Sequence, residues 1–102
     1  MPSNIINSGS EVVSDFYLYQ NYPNPFNPST QINFDLRITD YVTLKVYDAI
    51  GNEIAVLAEG KFSPGGHSVT FDASLHNASS GIYFYRLTTD NQTITKKMVM
   101  VK

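Results

Sequence analysis

Apolar and polar residues alternate along most of this chain, with the two-residue period of strands that bury one face. In "TQINFDL", Ile32, Phe34 and Leu36 fall on one side and Gln31, Asn33 and Asp35 on the other. "YVTLKVYD" repeats the pattern with Val42, Leu44 and Val46 opposite Thr43, Lys45 and Tyr47. The patterned region opens at "DFYLYQ", where Phe16, Leu18 and Gln20 alternate with Tyr17 and Tyr19. Later, "HSVTFDA" turns Val69 and Phe71 inward, and "GIYFYRLTTD" sets Tyr83, Tyr85 and Leu87 against Ile82, Phe84 and Arg86. In "TKKMVMVK", Met98 and Met100 alternate with Val99 and Val101, so this last strand can bury one face, offer the other to a partner, or add its edge to a receptor. "EIAVLAEG" fits a strand or a turn of helix, and the balance of "KVYDAIGNEIAVL" about one turn favours strand.

Turn residues separate these runs. Gly51 and Asn52 are expected to supply the left-handed conformations of a tight hairpin. Pro64, Gly65 and Gly66 mark a second turn, "SLHNASSG" a polar loop closing at Gly81, and Asp90 and Asn91 a turn before the last strand. Strand-like segments at short intervals, with no amphipathic helix, predict an all-β sandwich of about seven antiparallel strands. Residues 4–14 show neither period, so residues 1–15 read as a flexible linker ahead of one domain over 16–102. In "SSGIYFYRL", the order of small residue, Gly, apolar residue and Tyr resembles the immunoglobulin-like strand that carries a tyrosine corner. On that reading Tyr83 holds the corner, bonding to backbone in "HNASSG", and Tyr85 fills the place of the antibody-domain cysteine. A plain aromatic core strand is the other reading.

Composition narrows the function classes. The chain has 102 residues, enough for one domain. It has no cysteine, which removes disulfides, thiolate metal sites and cysteine nucleophiles together. Seven Lys and Arg against nine Asp and Glu, a net charge of −2, argue against nucleic acid or a polybasic membrane patch. No apolar run approaches the ~18 residues of a membrane span. "MPSNIINSGSEVVSD" lacks the charged and apolar regions of a signal peptide and suggests a piece of a longer polypeptide, with Met1 added for expression.

Candidate chemistry is sparse. His67 and His76 sit beside Gly-, Ser- or Asn-rich turns, far from any zinc-binding spacing, and are expected to be solvent-exposed turn residues. Carboxylates are scattered singly, and no calcium or phosphate loop is present. Two triplets, Asn77-Ala78-Ser79 and Asn91-Gln92-Thr93, match glycosylation sequons. The reading is a non-enzyme without cofactor or metal site. Seven tyrosines and six phenylalanines raise a sugar-binding alternative, with Tyr17, Tyr19, Tyr47 and Tyr83 or Tyr85 as an exposed coplanar row, although no tryptophan is present.

"NYPNPFNPST" stands apart. Its three prolines remove backbone donors and push Tyr22, Asn24 and Asn27 toward extended geometry. The expectation is an extended strip at a sheet edge or between sheets, anchored by Phe26, with Asn21, Asn24 and Asn27 offering side-chain amides in place of missing backbone bonds.

Together, "NYPNPFNPST", "VTLKVYDAIGNEIAVL", "GHSVTFDAS", "SSGIYFYRL" and "KKMVMVK", in that order, closely resemble the C-terminal sorting domain of type IX secretion substrates, type A, of Bacteroidetes and related phyla. The resemblance implies an immunoglobulin-like sandwich that crosses the periplasm at the end of an exported cargo protein. It implies recognition by an outer-membrane secretion translocon, often followed by removal by a surface sortase-like peptidase. The localisation implied is the cell surface or medium, and the state expected is a monomer. Carried over by residue, recognition would involve Tyr22, Pro23, Asn24, Pro25 and Pro28, then Gly51 and Glu53, Gly81 and Tyr83, and Lys97, Val99 and Lys102. A carbohydrate-binding module and a passive spacer or adhesin domain remain alternatives.

Overall fold

The computed structural model describes residues 15–102. Of the linker expected over residues 1–15, all but Asp15 lies outside the described residues. Seven strands follow: β1 (Phe16–Leu18), β2 (Ser29–Leu36), β3 (Asp40–Asp48), β4 (Glu53–Phe62), β5 (Gly65–Asp72), β6 (Gly81–Thr88) and β7 (Thr93–Met100). A three-stranded sheet, β1-β2-β5, packs on a four-stranded sheet, β4-β3-β6-β7, and every pairing of strands is antiparallel. This is the expected immunoglobulin-like sandwich.

The period-two faces meet between the sheets. Ile32 and Phe34 from β2, Val42, Leu44 and Val46 from β3, and Tyr85 and Leu87 from β6 are wholly buried. Met98 and Met100 of β7 face inward with them. β4 breaks the rhythm: Ala55 and Ala58, three residues apart, both face the core while Val56 is exposed. The cause is a bulge. Leu44 pairs with Ala58 and Lys45 with Val56, so Leu57 is an extra residue on β4.

Three local expectations are corrected. Asn52 does not take a left-handed conformation; Gly51 does so alone in this turn, at φ 96°. His67 is no exposed turn residue but a half-buried member of β5, stacked on Phe34 at 5.3 Å with Nε2 2.8 Å from the Ser63 carbonyl. His76 is an exposed turn residue, as expected, with its ring stacked on Phe71 at 5.6 Å. The polar loop after β5 begins with a 3-10 turn, Ala73–His76, because Asp72 caps the Ser74 N–H and Asn77 closes it in a left-handed conformation.

The tyrosine corner is present. The Tyr83 hydroxyl donates to the Ser79 carbonyl at 2.5 Å, inside the predicted loop. Tyr85, two residues on, does more than fill space. Its buried hydroxyl donates to the Tyr19 carbonyl at 2.7 Å and accepts from the Asn21 N–H at 2.8 Å. That fixes the chain where it leaves one sheet and turns toward the other.

Candidate functional site

The proline segment is bent rather than a straight strip. Residues 23–25 and 27–28 are bends, the three X–Pro peptide bonds are cis, and single bridges occur only at Tyr22 and Phe26. Tyr22 exchanges both backbone bonds with Gln31 of β2, at 3.0 and 2.9 Å. Phe26 then bridges in parallel to Met100 of β7, donating to the Val99 carbonyl and accepting from the Val101 N–H. The segment thus begins on one sheet and ends on the other.

Side chains supply both donors and acceptors along this donor-poor run. Asn24 Oδ1 accepts the Val99 N–H at 3.0 Å, and Gln20 Nε2 donates to the Lys97 carbonyl at 2.8 Å. Asn21 is buried and donates to Thr30 Oγ1 and the Pro23 carbonyl, while Thr30 donates to that same carbonyl at 2.8 Å. Phe26, 1% exposed, lies edge-on to Phe71 with ring centroids 5.9 Å apart. The edge of β7 is therefore occupied between Lys97 and Val101. Strand addition there, expected of a free terminal strand, is blocked by the chain's own proline segment.

The other motif residues gather at the same end of the sandwich. Gly81, which opens β6 at φ 149°, pairs with Met100, and the Lys102 N–H donates to Ser80 Oγ at 2.9 Å. Asp48 pairs with Tyr83, so the β3–β4 hairpin lies beside the tyrosine corner. A shallow groove of about 300 Å³ runs between Asp48, Ala49 and Ile50 on one wall and residues 79–83 on the other. Ile50 stands 84% exposed and Ile82 43% exposed beside it.

Of the residues carried over by resemblance, Tyr22, Pro23, Asn24, Pro25, Pro28, Gly51, Gly81, Lys97 and Lys102 are exposed on or near this end. Glu53 pairs with Lys45 Nζ at 3.0 Å, and Val99 is half-buried. Tyr83 is buried; it closes one wall of this groove and holds Ser79 through its hydroxyl. Three contributors escaped the sequence reading: Gln20, Thr30 and the Tyr85 hydroxyl.

Asp48 organises the hairpin tip. Oδ1 accepts the N–H groups of Asn52 at 2.8 Å and Ile50 at 3.1 Å, and Oδ2 accepts from Asn52 Nδ2. These bonds, the Asn52 N–H foremost, hold the carboxyl below its usual range. A lowered folded value stabilises the fold above the unfolded carboxylate value, about 3.9, and that gain is lost as pH falls through the folded value. Asp48→Ala is thus expected to melt earlier than the parent at neutral pH, with the gap closing in acid. Thermal melts from pH 7 to pH 2 test this; a gap constant across the series refutes it.

The alternative of a sugar-binding row does not form with the tyrosines named for it. Tyr83 and Tyr85 are buried, and Tyr47 lies on the other sheet under the Arg86 guanidinium, 4.7 Å from its ring centroid. Only Tyr17 and Tyr19 share a face, and their rings meet at 68° rather than coplanar. Among the described residues, no three His, Asp or Glu side chains cluster as a metal site would need, and no helix is long and apolar enough to cross a membrane.

The family model described as "Secretion system C-terminal sorting domain" matches residues 20–102. Among solved structures, the Ig1 domain of mouse SynCAM 2 aligns at 12% identity with a TM-score of 0.40, covering 72% of this chain and 81% of that one. No curated protein matches.

Proposed function

The chain belongs to the secretion system C-terminal sorting domain family of type IX secretion, and from that membership we propose that it is a non-catalytic address. A translocon in the outer membrane reads it and carries the cargo attached upstream to the cell surface or medium. In this reading the residues presented to the machinery are Tyr22, Pro23, Asn24, Pro25 and Pro28, with Gly51, Gly81, Lys97 and Lys102 around the same end. Tyr83, Glu53 and Val99 shape that surface from behind or beside it. A surface peptidase then releases the domain upstream of Phe16.

The observation that carries the proposal is the seal between residues 24–26 and the edge of β7. It welds the proline motif and the last strand into one surface, so a receptor reading either meets both. The seal also explains why a sorting domain can carry an edge strand through the periplasm without recruiting other strands.

The test fuses residues 1–102 behind a periplasm-directed fluorescent reporter, in a type IX-competent bacterium and in a translocon-deficient strain. Export only in the competent strain is expected. Deleting residues 97–102 would strip Met98 and Met100 from the core, so that variant confounds folding with recognition. Tyr22→Ala and Pro25→Ala alter exposed side chains instead, and should cut export while leaving the melting temperature within a few degrees. Reporter trapped in the periplasm of both strains, on a folded domain, would leave a spacer or adhesin module.

A further inference from the structure

The two outer faces of the sandwich carry opposite charge. On the three-stranded sheet Asp35 and Asp72 hold outward positions, and these strands contain no lysine or arginine. On the four-stranded sheet, Tyr41 lies opposite Lys61, and Thr43 lies between Glu59 and Thr88. Lys45 lies between Val56 and Arg86, which pairs with Thr95, and Tyr47 lies between Glu53 and Phe84, which pairs with Lys97. Both acids of this face therefore stand on the edge strand β4. The β6 and β7 side carries Arg86 and Lys97 with no acid among them.

Lys45 is neutralised by Glu53 at 3.0 Å, but among the described residues no carboxylate pairs with Arg86. Arg86 is nonetheless held in place. Its guanidinium lies over the Tyr47 ring, 4.7 Å from the centroid, and its Nε donates to Thr95 Oγ1 at 3.2 Å. With Nε engaged, the two terminal nitrogens remain as a fork, the geometry that suits a carboxylate. The fork borders a hollow of about 420 Å³, whose walls include the half-buried Phe84 on the sheet and Ala49 and Ile50 at the hairpin tip. Asp48 borders it as well, but its oxygens are taken up by the Ile50 and Asn52 N–H groups and the Asn52 amide. A fixed cation beside an apolar hollow fits a carboxylate that has an apolar neighbour.

We propose that this hollow receives an acidic side chain of the export machinery. The partner's carboxylate sits on the Arg86 fork, and an apolar side chain next to it packs against Phe84 and Ile50. This contact rests on the export reading, and it extends that surface from Gly51, which borders the hollow, and Lys97, opposite Phe84, onto the four-stranded sheet. A protein fits here better than a lipid surface. Beside the hollow only Arg86 and Lys97 are unpaired cations among the described residues, fewer than the about 4–8 that hold a protein to anionic headgroups. A flat headgroup layer would also leave the hollow unfilled.

The test places Arg86→Lys, Arg86→Gln and Arg86→Glu in the reporter fusion, with Lys61→Glu as a control at the far end of the same face. In the type IX-competent strain, surface reporter should fall progressively from Lys to Gln to Glu. Gln should export severalfold less than the parent and Glu on the order of tenfold less, because reversal sets like charges against each other. Melting temperatures of the purified domains should stay within a few degrees of the parent's, since Arg86 is exposed. Lys61→Glu, with the same change in net charge, should export like the parent. If Arg86→Glu fails to fold, Arg86→Gln and Arg86→Lys decide. Export of the Arg86 variants at the parent's level, or an equal loss in Lys61→Glu, would overturn the acidic contact and leave the export reading standing. A parent fusion trapped in the periplasm would overturn the export reading, and this contact with it. Binding to phosphatidylglycerol vesicles that Arg86→Gln abolishes, with export unchanged, would assign the hollow to lipid instead.

Discussion

Phe26→Ala is expected to destabilise the domain by about 3–5 kcal/mol, the usual cost of emptying a buried phenylalanine site. For a domain of this size, that lowers the melting temperature by on the order of 15 °C or more. The site cannot easily collapse. Phe26 is held between Phe71 on one sheet and the edge of β7 on the other, and its backbone is bonded on both sides to Val99 and Val101. Losing the ring should also loosen the seal. Hydrogen exchange of the Phe26, Val99 and Val101 amides should accelerate more than that of Ile32 or Leu44 in mid-sheet. Equal acceleration everywhere would mean that Phe26 supports only global stability. Native-like protection at all three amides would mean that the seal does not depend on its anchor.

Tyr85→Phe carries the second largest effect, about 1–3 kcal/mol, although it removes only one oxygen. The Asn21 N–H and the Tyr19 carbonyl both lose that partner, and Asn21 is only 2% exposed, so water cannot readily replace the bond. Burial pushes the Tyr85 hydroxyl up to about 12, so it keeps its proton and donates throughout the physiological range. The expected signature is local: the Asn21 amide loses protection while the Tyr83 corner at Ser79 stays intact. Reporter export should fall with it, because residues 19–21 set where the proline motif leaves the first sheet. A melting temperature and an Asn21 protection factor equal to the parent's would show that the hydroxyl merely occupies space.

The two positions differ in how visible they are beforehand. Phe26 is the one phenylalanine inside a donor-poor, proline-rich run, and its role as anchor follows from that contrast. The Tyr85 hydroxyl is hidden, because its two partners lie 66 and 64 residues earlier in the chain. A period-two pattern says that Tyr85 faces inward, but not what waits there. Asp48 lies between these cases. Its acceptors serve residues two and four positions on, so the bonds are local, yet Asn and Gly in the same turn draw attention away from the preceding acid.

The sequence by itself determined the strands, their inward faces, the sandwich class and the motif order that places the chain in its family. Those are local or linear properties: alternation fixes the face of a strand, turn residues fix its ends, and motif order survives without any contact being known. Tertiary structure alone decided the bulge that made "EIAVLAEG" ambiguous, since an extra residue is defined only against the partner strand β3. It alone decided that the proline segment closes the edge of β7, because Asn24 and Val99 meet across 75 residues of chain. It also separated tyrosines that look alike in sequence, burying Tyr83 and Tyr85 and lining up Tyr17, Tyr19 and Tyr22. Exposure depends on which sheet, edge and face the fold gives each ring, and that follows from pairing between distant strands.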